Sequence, residues 1–143
     1  TERKYEEYDS GIYSKNITEQ IYNELIDRAE AITKDGNIVI LDASFSKRQW
    51  REFLLDRSKS LDTPLYFLQA LAPKDLIEQR LLYRERQETS VSDGRLEILD
   101  RFIVEFEDPL EIKEKNLITV DTTKPLLDNV KSIFKDIILR NHN

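Results

Sequence analysis

The chain has 143 residues, of which 39% are apolar and 35% are charged, and its formal net charge is −6. This length suits one ordinary domain, and the regular apolar patterns exclude an intrinsically disordered chain. The acidic balance argues against a general binder of nucleic acid or membrane surfaces, because polyanions would be repelled. Since the sequence contains no cysteine, disulfides, thiolate catalysis and thiolate metal sites are also excluded.

The remaining compositional signals concern histidine, membrane segments and the first residue. The single histidine, His142, stands one residue from the end, where order is rarely expected, so histidine chemistry is not predicted. No apolar run reaches membrane-spanning length and no signal peptide is visible, which makes a cytoplasmic location the default expectation. The sequence has no methionine and begins with Thr1, a pattern that indicates a fragment, a processed chain or a chain trimmed at its start.

The first predicted helix follows a polar, aperiodic lead-in over residues 1–15. Apolar residues recur with helical spacing from Ile17 to Ile32. Asn16 and Glu19 have the spacing of a capping box, and Gly36 is well placed to end the helix.

Two strands are predicted on either side of a second helix. Ile38 to Leu41 is a short, β-branched apolar run that ends at Asp42, which is typical of a strand buried on both faces in a parallel sheet. A helix should start near Ser46, with Gln49 completing its capping box. Residues Leu65 to Leu71 indicate another buried strand.

The second half continues the alternation of strands and helices. Pro73 should open a third helix at its first turn. Beyond a polar loop, Ser92 is expected to cap a fourth helix. A third strand is predicted from Leu117 to Val120, and Pro125 opens a final helix.

This alternation predicts three βα units in a three-layer α/β fold with a mainly parallel sheet. No linker or internal repeat is visible, so residues 1–143 are interpreted as a single domain.

Polar residues follow two of the predicted strands, as Asp42-Ala43-Ser44 and Asp121-Thr122-Thr123. Ligands of open parallel sheets bind beyond the carboxyl ends of the strands. A carboxylate and a hydroxyl in this place can hold hydrated Mg²⁺ or orient a substrate hydroxyl. The alternative is a helix cap or a loop hydrogen bond, which Asp, Ser and Thr make in many proteins.

A second constellation consists of Arg80, Arg84 and Arg86, just before the polar loop. Arg80 and Arg84 share a helical face, and a guanidinium there can bind phosphates and neutralise charge on a transferring group. The alternative is a solvated face paired with acidic neighbours, which the equal count of charges favours. These neighbours are Glu78, Glu85 and Glu88.

Three further cations, Lys47, Arg48 and Arg51, follow the strand that ends at Asp42. They can face an anionic substrate, although surface solvation is the preferred interpretation. Trp50 and the tyrosines indicate packing rather than stacking platforms for bases.

The glycines exclude two phosphate-binding motifs within these residues. Gly11, Gly36 and Gly94 are the three in the sequence, and none belongs to a G-x-x-x-x-G-K-[ST] loop or a dinucleotide fingerprint.

Five short segments occur in an order that resembles small P-loop kinase-like ATPases related to gluconate kinase and polynucleotide kinase. They are Gly11-Ile12-Tyr13-Ser14, Ile38-Val39-Ile40-Leu41-Asp42-Ala43-Ser44-Phe45, Ser92-Asp93-Gly94, Phe106-Glu107-Asp108-Pro109 and Val120-Asp121-Thr122-Thr123. The chain is most similar in this respect to the nucleotide-binding domain that follows an aminoglycoside-phosphotransferase-like domain in bacterial two-domain proteins. The resemblance runs from about Gly11 to Ile138.

The resemblance implies a site for ATP and Mg²⁺ in the complete domain. Asp42 would face the metal or the acceptor substrate and, with Arg84, would be catalytic. A lid-like segment over about residues 80–108 would begin with Arg80, Arg84 and Arg86, with Ser92 and Asp93 at its far hinge.

The resemblance also implies that the turn from Asp121 to Pro125 lies near the adenine, with Thr122 and Lys124 as cofactor contacts. The expected substrate contacts are Ser44, Lys47 and Arg48.

The chain departs from the family pattern because the Walker A loop and the first two strands would precede Thr1. The missing first strand normally lies between those that correspond to Ile38–Leu41 and Leu65–Leu71. We expect these two strands to pair directly or another chain to fill the gap, by homo-oligomerisation or strand exchange. An intact five-stranded sheet within this chain would contradict this.

The leading functional hypothesis is therefore part of an ATP-dependent kinase for a small hydroxyl-bearing substrate, inactive without its phosphate loop. A second hypothesis is a non-catalytic interaction or regulatory module on a degenerate P-loop scaffold. A third is a phosphotransferase whose phosphate site is built from the arginine cluster.

Overall fold

The computed structural model describes the backbone of residues 15–87 and 94–141, and side chains within residues 16–84 and 99–140. Five α-helices, one 3₁₀ helix and two strands lie in these ranges. In chain order they are α1 (Lys15–Lys34), α2 (Arg48–Ser60), β1 (Phe67–Leu71), α3 (Lys74–Gln87), α4 (Gly94–Glu105), the 3₁₀ helix (Glu114–Asn116), β2 (Leu117–Asp121) and α5 (Leu126–Asn141). Residues 1–14 of the predicted lead-in, which include the Gly11–Ser14 segment, and the Ser92–Asp93 hinge lie outside the described residues, whereas Lys15 belongs to α1.

The chain divides into two compact units. The first comprises residues 1–45 and 49–63, and the second comprises residues 46–48 and 64–143. In the first unit the buried apolar side chains come from α1 and α2, and they are Tyr22, Ile26, Ala29 and Leu54. In the second unit Leu99, Ile112 and Ile118 are buried.

The end of α1 follows from the chemistry of glycine. Gly36 has φ +80°, a left-handed conformation that residues with a Cβ adopt only at a cost. Its N–H donates to the carbonyl oxygen of Thr33 at 2.9 Å, which closes the last turn. Gly36 thus ends the helix as predicted. The capping box on Asn16 is wrong, because α1 already includes Lys15.

The start of α2 lies near the predicted position, but its cap differs. The helix begins at Arg48, shortly after Ser46. The backbone N–H of Arg48 donates to Glu107 Oε2 at 2.6 Å, and the carbonyl of Ser46 accepts from the Glu107 N–H at 2.9 Å. A carboxylate distant in sequence therefore satisfies the N–H that a local serine cap was expected to satisfy.

The two strands form a parallel pair, in a register that runs from Phe67 opposite Leu117 to Leu71 opposite Asp121. Ile118, which lies opposite Leu68 in this register, is buried. The prediction of α/β structure with parallel strands is confirmed for this two-stranded sheet, and both strands fall where the sequence placed them.

The predicted strand over Ile38–Leu41 is wrong for the described structure. These residues form no strand, and the side chains of Ile38 and Ile40 are 95% and 87% exposed. A strand buried in a parallel sheet needs neighbours on its edges and cover on its faces, and the described residues supply neither here. The described sheet contains only β1 and β2.

Two prolines precede helices as the sequence predicted. Pro73 and Pro125 come immediately before α3 and α5. The carbonyl of each accepts two N–H groups of the first helical turn, at 3.1–3.2 Å; the donors are Leu76, Ile77, Asp128 and Asn129. The fixed φ of proline prepares both starts.

Candidate functional site

A turn follows β2 at the carboxyl end of the parallel pair. The N–H and the Oγ1 hydroxyl of Thr122 both donate to the carbonyl oxygen of Leu71, the last residue of β1, each at 2.9 Å. The turn is therefore fastened to the neighbouring strand at the edge where ligands of open parallel sheets bind.

Arg80 of α3 is fastened to the same turn. Its NH1 donates to Thr122 Oγ1 at 2.9 Å and its NH2 donates to the Thr122 carbonyl oxygen at 2.7 Å. These bonds use two of the five N–H donors of a guanidinium. The structure thus brings together Arg80 and Thr122, two residues that the sequence assigned to cofactor binding, and leaves Arg80 exposed.

Asp121 holds the turn from within. Its Oδ1 accepts from the Thr123 hydroxyl at 2.6 Å and from the Thr123 N–H at 3.0 Å. These two bonds, with a smaller contribution from the charge of Lys124, hold the pKa of Asp121 below its ordinary value. The loop hydrogen bond is therefore the role of Asp121 that the structure shows. The N–H of Lys124 donates to the Asp121 carbonyl at 3.2 Å.

Arg84 lies one helical turn beyond Arg80 and is exposed. Together with Arg80, it lines an open depression along α3 whose other lining residues are Leu76, Gln79 and Tyr83. Glu78, one expected acidic partner of the arginines, instead lies 3.7 Å from the ammonium of Lys74. The side chains of Arg86 and Glu85, and all of Glu88, lie outside the described residues.

Asp42 belongs to the first unit and is exposed, in an irregular segment rather than at the end of a strand. Within the described residues no group of three or more His, Asp or Glu side chains could hold a metal ion. Mg²⁺ is commonly held by one or two carboxylates together with waters and substrate phosphates. A lone Asp42 fits such a shared role and does not fit a metal site built from protein ligands alone.

Ser44 is held in place by Tyr22 of α1. The Tyr22 hydroxyl lies 3.2 Å from Ser44 Oγ and accepts the N–H of Phe45 at 3.0 Å. Phe45 has φ +42°, an uncommon conformation for a residue with a Cβ. Such strain persists only where surrounding contacts enforce it, and it is frequent in functional loops.

Arg51 is the second support of this turn. It is 2% exposed, and its NH1 donates to the Phe45 carbonyl oxygen at 2.8 Å. The aromatic rings complete the cluster, since Tyr22 stacks on Trp50 at 4.7 Å and meets the edge of Phe45 at 5.2 Å.

Both sequence interpretations of Arg51, a solvated surface or a substrate-facing cation, are wrong. The available signal was its position three residues before Leu54, on the apolar face of α2. Packing of Trp50 and Tyr22 agrees with the prediction for these aromatic residues.

Lys47 and Arg48 meet the acidic end of α4 within the second unit. Lys47 Nζ donates to the Glu105 carbonyl oxygen at 3.0 Å and lies 3.5 Å from Glu107 Oε1. The pKa of Glu105 is lowered, chiefly by its hydrogen bond from Arg101, with a contribution from the charge of Lys47. The acidic residues at the end of α4 therefore anchor Lys47 and, through Glu107, the Arg48 backbone.

A protein-family model described as an AAA domain matches residues 1–109. Searches of curated proteins and of solved structures returned no significant match. Among the described residues, no helix has the length and apolar character needed to cross a membrane.

Proposed function

The chain belongs to the AAA domain family of P-loop NTPase-like proteins, and from this premise we propose that it contributes to an ATP-dependent kinase acting on a small hydroxyl-bearing substrate. In this proposal the second unit contacts the nucleotide through Arg80, Arg84, Thr122 and Lys124. Asp42 is assigned to the metal or the acceptor hydroxyl.

One observation carries the proposal, namely the position of the Arg80 guanidinium beside Thr122, at the carboxyl end of the strand pair. A guanidinium fixed in this way loses little side-chain entropy when a ligand binds, and its remaining N–H donors suit phosphate oxygens. Arg84, one turn along the same helix, adds a second positive charge for a polyanionic ligand. Lys124 in the turn adds a third.

When bound, ATP with Mg²⁺ supplies the phosphoryl group, and the residues of this chain orient the reactants. Asp42 would hold the acceptor hydroxyl or a water of the metal. The Ser44 hydroxyl, fixed by Tyr22, would orient the acceptor by hydrogen bonding. The cations Lys47 and Arg48 are assigned to anionic groups of the substrate, although in this structure Lys47 contacts the acidic end of α4.

The 143 residues contain no G-x-x-x-x-G-K-[ST] sequence. In P-loop proteins the backbone N–H groups and the lysine of that motif supply much of the grip on phosphate. We therefore expect this chain by itself to bind ATP weakly and to lack kinase activity.

Calorimetric titration with ATP and Mg²⁺ tests the proposal, using both this chain and the product of its full reading frame. We expect binding by the full product, weakened at least tenfold by Arg80→Ala. Arg28→Ala is the matched control, because Arg28 is exposed on α1 and pairs with Glu24. Binding by the full product that is insensitive to Arg80→Ala would place the nucleotide elsewhere.

A non-catalytic interaction or regulatory module is the second candidate. The lack of a G-x-x-x-x-G-K-[ST] sequence within the 143 residues favours it. Failure of both proteins to bind ATP would support this module over the kinase.

A further inference from the structure

Tyr22 of α1 binds the Ser44–Phe45 turn through a single hydroxyl group. That hydroxyl accepts the N–H of Phe45 at 3.0 Å and lies 3.2 Å from Ser44 Oγ. A phenolic hydroxyl carries one proton, and the described residues supply no hydrogen-bond acceptor for it other than Ser44 Oγ. Tyr22 therefore donates to Ser44, and the serine oxygen is the acceptor of this bond.

The direction of this bond determines what Ser44 offers to a ligand. A serine hydroxyl has one proton and two lone pairs. Tyr22 occupies one lone pair, and within the described part of the chain the Ser44 proton has no acceptor. Since Ser44 is exposed, its O–H can donate to a bound molecule. A protonated amine cannot accept this hydrogen, so the ligand atom at Ser44 is an oxygen with a lone pair.

The conformation of the turn is held from both sides of Phe45. The N–H of this residue donates to Tyr22, and its carbonyl accepts from Arg51 NH1 at 2.8 Å. Both supports are buried, since Tyr22 is 7% and Arg51 is 2% exposed. All of these residues belong to the first compact unit. They enforce the left-handed φ of +42° at Phe45, a strain of the kind that persists where a site needs a fixed geometry.

We propose that Tyr22 is a positioning residue that directs the Ser44 hydroxyl, as a hydrogen-bond donor, at the oxygen that attacks ATP. This inference rests on the proposed function. In that reaction a bond forms between the acceptor oxygen and the γ-phosphorus, and the bond from this phosphorus to the bridging oxygen of ADP breaks. The proton of the acceptor passes to the Asp42 carboxylate. The acceptor is the hydroxyl-bearing substrate, or water when no such substrate is bound.

Hydrolysis of ATP by the product of the full reading frame tests the inference, with water as the probe acceptor. We expect Tyr22→Phe to lower kcat by about tenfold, because it removes the bond that orients Ser44. The KM for ATP should change by less than about twofold, since the proposed nucleotide contacts, Arg80 and Thr122, lie on other elements. All rates are taken at a temperature where circular dichroism shows each variant to be folded.

Thr33→Val is the matched control. Thr33 lies on the same helix as Tyr22, and its hydroxyl donates to the Ala29 carbonyl at 2.7 Å. The substitution removes one hydroxyl hydrogen bond from α1 without affecting the contacts of the turn. It should leave kcat within about twofold of the original value, whereas Tyr22→Phe should not.

Variants of Ser44 show whether Tyr22 acts through it. We expect Ser44→Ala to lower kcat about as much as Tyr22→Phe, and Ser44→Thr, which keeps a hydroxyl, to recover most of that loss. In the Ser44→Ala background, Tyr22→Phe should lower kcat by less than about a further twofold, because the two residues act as one unit.

Two results would overturn the positioning role and leave the proposed kinase standing. One is ATP hydrolysis that is insensitive to Tyr22→Phe, and the other is a double variant in which the two losses multiply. If the full product hydrolyses no ATP, the proposed function itself is wrong, and this inference is wrong with it.

Discussion

Arg80 and Thr122 are joined by two hydrogen bonds, one to the hydroxyl and one to the carbonyl of the same residue, across 42 positions of sequence. The pair connects the middle of α3 to the turn after β2. Because Thr122 also donates to Leu71, consecutive hydrogen bonds link the guanidinium, the turn and the end of β1.

Replacing Arg80 by lysine should disrupt this series of hydrogen bonds, because an ammonium cannot reproduce the two parallel N–H donors that the guanidinium directs at Thr122. We expect Arg80→Lys to lower the free energy of unfolding by about 1 kcal/mol. The measurement is urea denaturation followed by circular dichroism. Arg84→Lys, one turn away and exposed, should change the unfolding free energy by less than about 0.5 kcal/mol. Equal losses in both variants would show that the Thr122 bonds add nothing to stability.

Tyr22→Phe tests the support of the Ser44–Phe45 turn. The variant keeps the ring stacked on Trp50 and removes the hydroxyl that accepts the Phe45 N–H. We expect a loss of about 1–2 kcal/mol of unfolding free energy and faster hydrogen exchange at the Phe45 amide. Tyr83→Phe is the control, since Tyr83 is exposed. Unchanged exchange at Phe45 would contradict the assigned role of the hydroxyl.

Gly36→Ala tests the end of α1. A Cβ built at Gly36 has no heavy atom within 4 Å, so steric contact contributes nothing to the cost. The positive φ alone should lower the unfolding free energy by about 1 kcal/mol. Gly36→Asn should cost less, because asparagine tolerates this conformation better. If alanine and asparagine are equally tolerated at position 36, the left-handed turn does not persist in solution.

The titration of Asp121 gives a pH dependence. The Thr123 hydroxyl and N–H lower the pKa of this carboxyl in the folded chain. Asp121 therefore stabilises the fold at pH values above its unfolded-state pKa, and this stabilisation is lost as the pH falls through the lower, folded-state pKa. Thr123→Val removes the hydroxyl and should raise the pKa of Asp121, as measured by NMR of the carboxyl carbon. An unshifted titration would show that the hydroxyl bond is absent in solution.

The sequence predicted elements where the cause is local. Pro73 and Pro125 marked helix starts because a fixed φ acts within one turn, and Gly36 marked a helix end because its conformation does not depend on the rest of the fold. The cap of α2 was not predicted, because the group that meets its first N–H is the carboxylate of Glu107, 59 positions away.

Strand and site predictions depended on neighbours that the sequence does not reveal. Ile38–Leu41 has the composition of a strand and lacks a pairing partner in the described chain. Arg51 was placed at the surface because arginine usually lies there. Its burial is possible because its guanidinium donates a hydrogen bond to the Phe45 carbonyl oxygen. Arg80 and Thr122 were expected to lie near each other because both were assigned to the same site. No sequence pattern indicated the direct hydrogen bonds between them.

The attachment of α5 to β2 at both of its ends has a consequence for how the chain opens. Near the start of the helix, Asn129 Nδ2 donates to the Asp121 carbonyl at 2.8 Å, and near its end Arg140 NH1 donates to the carbonyls of Glu114 and Leu117 at 2.7 and 2.9 Å. The helix is therefore attached to both ends of β2. If either end of α5 unfolds, it loses hydrogen bonds to backbone carbonyls at or next to the neighbouring end of the strand. Strand and helix should exchange their amide hydrogens as a single cooperative block, with the last turn of α5 as slow as the first.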